Sequence, residues 1–152
     1  MKESKMLKIS WIILTIGIAV QVILSVVGII HPLFTKDAFE SFVGESWGEF
    51  AAQQPKHAAL YQHFSRMSGC LTLIICVCAL FIIFAGYRKG EKWAWMVLVV
   101  ATTLGWGTLI VFASMFSDPA GLKRGIVNLC GGLVVLLLPV KEIWGANTVQ
   151  AR

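Results

Sequence analysis

Four stretches of this chain carry no charged side chain: residues 9–30, 67–86, 93–116 and 125–140. A helix rises about 1.5 Å per residue, so the first stretch alone reaches roughly 33 Å, enough to cross a hydrocarbon core of about 30 Å. Water cannot hydrogen-bond a backbone inside lipid, so a spanning segment that stands alone must be helical. Blocks of this kind therefore predict transmembrane helices. Composition agrees: 57% of residues are hydrophobic and 14% charged, against about 45–50% and about 25% in soluble domains.

The block boundaries carry their own signals. Lys2, Lys5 and Lys8 precede the first block as in a signal peptide, but the block is long for one and no small-residue cleavage pattern follows. His31-Pro32 ends it instead, because the residue before proline avoids the helical region. Asp118-Pro119 offers an N-cap and a proline at the first helical position, so the fourth helix is expected from about 120 to 140, with Lys123 and Arg124 reaching to the interface. The expected architecture is an all-α membrane protein: one domain over residues 1–152, a four-helix transmembrane bundle with spans at about 9–30, 67–86, 93–116 and 120–140. The segment 31–66 is too long for a bare loop. Phe39, Phe42, Val43, Trp47 and Phe50 recur in it at helical spacing, opposite Asp37, Glu40, Glu45 and Glu49, which predicts one outer amphipathic helix weakened by Gly44 and Gly48. Pro55 is expected to open a further helix running on through Gly86.

The net charge of +5 does not suggest nucleic acid, because no basic stripe forms on one element. The cations flank the apolar blocks. With the N-terminus inside, the inner segments hold Lys2, Lys5, Lys8, Arg88, Lys89, Lys92, Lys141 and Arg152. The outer ones hold Lys36, Lys56, Arg66, Lys123 and Arg124. The bias favours both termini in the cytoplasm of an inner, or plasma, membrane.

The apolar cores contain no Asp, Glu, Lys, Arg or His, which argues against ion-coupled transport and against acid–base chemistry at mid-membrane depth. The polar residues that remain are mild. Gly17, Gln21, Ser25 and Gly28 share a face of the first span, and Ser68, Thr72 and Cys76 a face of the second. Ala101 with Gly105 and Thr103 with Gly107 flank Trp106 in the third. The fourth has Gly121 with Gly125 and Asn128 with Gly132. Such stripes are expected to be helix–helix packing faces. Cys70, Cys76, Cys78 and Cys130 form no CxxC pair and are read as small packing residues.

The candidate ligand-binding residues are Gln21, Tyr61, His63, Arg66, Trp106 and Asn128. His31, His57 and His63 fall on the outer side and offer the one opening for a metal or haem, although His57 and His63 stand on different helix faces. No catalytic residue is nominated and no cofactor is expected. The expected partners are the lipid bilayer, other membrane subunits or further copies of the chain.

The turn between the second and third blocks reads Arg88-Lys89-Gly90-Glu91-Lys92-Trp93-Ala94-Trp95. Here the chain resembles small bacterial multi-pass membrane proteins that carry an RxGExWAW-like turn and have no assigned activity. The resemblance implies a helical membrane fold in a bacterial inner membrane and no catalytic residue. The size and span number are also similar to sterol-isomerase-like four-helix proteins, but the acidic span residues of that family are missing here. The expected role is that of a non-enzymatic accessory subunit or a binder of lipid or another apolar molecule. The alternative is a membrane enzyme or redox protein working at the outer interface.

Overall fold

The computed structural model describes residues 4–33 and 36–145. Lys2 and Arg152, counted above for orientation, lie outside the described residues. The helices are α1 (Lys5–Ile30), α2 (Lys36–Val43), α3 (Trp47–Gln53), α4 (Pro55–Ala85), α5 (Lys92–Met115), α6 (Pro119–Leu137) and α7 (Val140–Gly145), with a single 3₁₀ turn at Tyr87–Lys89 between α4 and α5. Among the described residues there is no strand. Among the described residues, four stretches are long and apolar enough to cross a membrane: α1, α4 with its following turn, α5, and α6 with α7. Their surfaces fit that solvent. Phe81 is 72% exposed and Met115 70%, an unfavourable display in water that costs little among lipid chains.

Local chemistry sets the ends. Pro55 begins α4, where its missing N–H and fixed φ suit the first turn. At 31 residues this helix extends about 46 Å, well beyond a hydrocarbon core. Asp118 caps α6, its carboxylate accepting from the backbone N–H of Ala120 at 3.1 Å and Gly121 at 2.9 Å.

The segment ahead of α4 departs from expectation, since it holds two short helices rather than one. Gly44 has φ +83°, a left-handed conformation open to glycine, and its N–H closes α2 on Glu40 O at 2.9 Å. Ser46 then opens α3 with a capping box: its hydroxyl accepts from Glu49 N, and the Glu49 carboxylate accepts from Ser46 N. The fourth span also differs, because α6 stops at Leu137 and α7 resumes after Pro139.

The chain forms two compact units, Met1–Ile18 with Cys78–Arg152 and Ala19–Val77. In the first, Leu7 of α1, Ile83 of α4, Tyr87, Ala94 and Leu98 of α5, Leu136 of α6 and Ile143 of α7 share one buried core. Four spanning segments thus meet there. Along α6, a Cβ added to Gly125 would come within 2.7 Å of Ile110 Cγ1, and one added to Gly132 within 2.9 Å of Thr102 Cγ2. Glycine therefore lets α5 and α6 approach closely, as expected of this face. The opposing face of α5 is not the expected one. Gly105 and Gly107 look into open space, and Thr102, Ile110 and Ala113 make the contact instead.

In the second unit, Gly69 of α4 lies against the backbone of Ser25 and Ile29 in α1, and Ser65 Oγ donates to Pro32 O at 3.0 Å. The expected stripes hold in part. Ser25 and Cys76 are buried, whereas Ser68 is exposed and Gly17 and Gly28 adjoin open space. Cys70, Cys78 and Cys130 are exposed free thiols rather than packed ones.

Candidate functional site

Pro139 has no N–H, so the carbonyl four residues earlier, Val135 O, loses its helical donor. The first unit satisfies it from elsewhere in the chain. Ser10 Oγ on α1 donates to Val135 O at 2.7 Å. The same oxygen stands 2.5 Å from Tyr87 Oη. A serine hydroxyl carries one proton, already directed at the carbonyl, so the tyrosine donates to the serine. One residue further along, Leu136 O receives the Trp95 indole N–H at 2.8 Å. Ser10, Ile83, Tyr87, Leu136 and Pro139 are all fully buried. Three separate elements thus repair one break in the last long apolar segment, as a buried backbone carbonyl requires.

At this node Ser10, Tyr87 and Pro139 are fully buried, and they were not among the residues nominated from sequence. The signal was present: a proline beyond the first turn of a spanning segment orphans the carbonyl four residues back. What was not visible is which hydroxyl answers it. Chemically the node is closed. Its donors are committed to carbonyls or to each other, and it contains no carboxylate, amine or imidazole.

Several other polar side chains of the spanning helices also bond backbone carbonyls. Thr15 bonds Trp11 O, Ser25 bonds Gln21 O and Thr72 bonds Ser68 O. Thr108 bonds Leu104 O and Ser114 bonds Ile110 O. Asn128, nominated as a ligand contact, is exposed and donates to Arg124 O on its own helix at 2.9 Å. Trp106 is half-buried, and its carbonyl backs the Gly125 approach.

The second unit holds the other nominated residues. Tyr61 belongs to an aromatic cluster, with ring centroids 4.9 Å from Phe39 and 5.3 Å from Trp47. Phe50 joins at 4.9 Å from Phe39. Rings this close fill the space between them. The acidic residues nearby serve the backbone. Glu40 Oε1 accepts from Trp47 N at 2.9 Å. The Ser46 hydroxyl and N–H together hold the Glu49 carboxyl below its ordinary 4.5. His63 and Arg66 are exposed, and Gln21 is half-buried. Gln21, Tyr61, His63 and Arg66 fall in one unit, Trp106 and Asn128 in the other. His31, His57 and His63 are each exposed, and among the described residues no group of three or more His, Cys, Asp or Glu could hold a metal ion.

No protein-family model, no curated protein and no solved structure matches the chain.

Proposed function

We propose that this chain is a non-enzymatic multi-pass protein of a bacterial inner membrane, with both termini in the cytoplasm. It acts by contact, as an accessory subunit or a holder of lipid or another apolar molecule. One observation carries this reading: Ser10, Thr15, Ser25, Thr72, Trp95, Thr108, Ser114 and Asn128 each spend a side-chain hydrogen bond on a backbone carbonyl, of their own helix or at the Pro139 break, and the buried oxygen left without a partner on a spanning stretch, Glu142 Oε2, lies on α7 beyond that break. A reaction or an ion path needs a polar group held free for it. The broad apolar faces, with Ile75 and Leu104 each 65% exposed, are suited to lipid chains or to the helices of a partner. The RxGExWAW-like turn and the excess of cations on the segments assigned inward support the membrane and the orientation.

The test is purification in mild detergent with mass spectrometry of everything retained. A stoichiometric membrane subunit or apolar molecule is expected. Turnover of a lipid-soluble substrate, a Soret band or a bound metal ion would overturn the reading. Orientation is checked by impermeant thiol labelling of Glu45→Cys and Gly90→Cys in intact cells. Only the first should label, and labelling of both would refute the topology.

A further inference from the structure

One end of the first unit gathers cations, indoles and bare apolar surface. Leu7, Tyr87, Ala94 and Ile143 share its core, which brings together the start of α1, the 3₁₀ turn, the start of α5 and α7. These elements carry Lys5, Lys8, Arg88, Lys89, Lys92 and Lys141, of which all but the half-buried Lys92 are exposed. Two carboxylates accompany them among the described residues, and neither is spread over the cations. Glu91 accepts from the Trp93 indole, and Glu142 Oε2 is buried without a hydrogen-bond partner.

Four of the six tryptophans, Trp11, Trp93, Trp95 and Trp144, sit on the same elements. Arg88 lies over the Trp11 ring at 5.1 Å and Lys92 over the Trp144 ring at 4.9 Å. Indoles prefer the headgroup level of a bilayer, so they put these cations at phosphate depth. Beside them Met6 is 48% exposed and Ile9 47%. A free phosphate would use the cations and leave these apolar groups idle. A molecule with an anionic head and acyl chains would use both.

We infer that this end is a binding surface for anionic phospholipid headgroups, with Arg88, Lys89 and Lys92 as its centre and the flanking α1 surface receiving the acyl chains. The inference rests on the membrane-spanning reading and names the lipid class that reading leaves open. Each cation near a lipid surface contributes on the order of five-fold in affinity.

The test uses the full chain in neutral detergent, offered equal amounts of phosphatidylglycerol and phosphatidylcholine and read by native mass spectrometry. Preferential retention of phosphatidylglycerol is expected, falling as salt is raised. The variant R88Q/K89Q/K92Q should lose about ten-fold or more of that preference. The variant K56Q/K123Q/R124Q removes the same charge elsewhere and should keep it. Should the first variant fail to fold, the salt titration of the unaltered chain still decides. Equal retention of the two lipids, indifference to salt, equal losses in both variants, or inorganic phosphate raising thermal stability as much as phosphatidylglycerol would each overturn the inference. Failure of the membrane reading itself would look different: a chain that stays folded and monomeric without detergent.

Discussion

The core of the first unit and the segment between α1 and α4 are both built from aromatic and hydroxyl side chains, but they are held in opposite ways. In the first, bonds reach far along the chain: Ser10 to Tyr87, Ser10 to Val135, Trp95 to Leu136. In the second, the polar bonds are short-range, a Ser46–Glu49 box and a Glu40–Trp47 link, and rings provide the rest. The difference follows from solvent. Where water is present, a helix end can be completed by its own neighbours or by solvent. In a core closed to water, an orphaned carbonyl has only other protein segments to turn to.

Four tests probe that contrast, from the largest effect down. Truncating a buried ring should hurt both regions by about 3 kcal/mol, with different reach. Tyr87→Ala should lower the stability of the whole first unit in detergent unfolding, whereas Phe39→Ala should raise hydrogen exchange across α2 and α3 and leave α5 and α6 protected. If Phe39→Ala loosened α5 and α6 equally, the contrast would be lost. Next, Ser10→Ala should cost about 1 kcal/mol. The cost should shrink in a Pro139→Ala background, because an N–H at position 139 can serve Val135 O, and what remains is the Tyr87 hydroxyl left without its acceptor; an undiminished cost would break the account of the node.

Gly44→Ala should cost about 1 kcal/mol through its left-handed φ, read as protease sensitivity between α2 and α3. The smallest effect is electrostatic. The Glu49 carboxyl is held below 4.5 in the folded chain by its bonds to Ser46. Its contribution is therefore present above that value and is lost as the pH falls through the folded pKa. Circular dichroism should show α3 fraying in acid, and Glu49→Gln, which keeps an acceptor without a titratable group, should abolish the response.

Much of the helical layout was legible because the signals are local. The four uncharged blocks, Pro55 and the Asp118-Pro119 start all lie where expected. The Gly44 break was readable too, since Ser46 and Glu49 stand in capping-box spacing within a stretch read as one amphipathic helix. The packing faces were harder, for a physical reason. A helix apolar all round carries no amphipathic period, so nothing in hydropathy separates Thr102, which packs, from Thr103, which is exposed. The candidate site was the least legible part. Tyr61 and Gln21 are half-buried, while His63, Arg66 and Asn128 are exposed. The Ser10–Tyr87 pair depends on residues 77 apart, a proximity that only the fold creates.

The bond from Ser10 to Val135 also sets an order of events during synthesis. The hydroxyl and the carbonyl are 125 residues apart, so Ser10 leaves the ribosome long before Val135 is made. Until the two meet, that carbonyl has no helical donor. The node can therefore close only late in synthesis, and folding of the first unit waits on it.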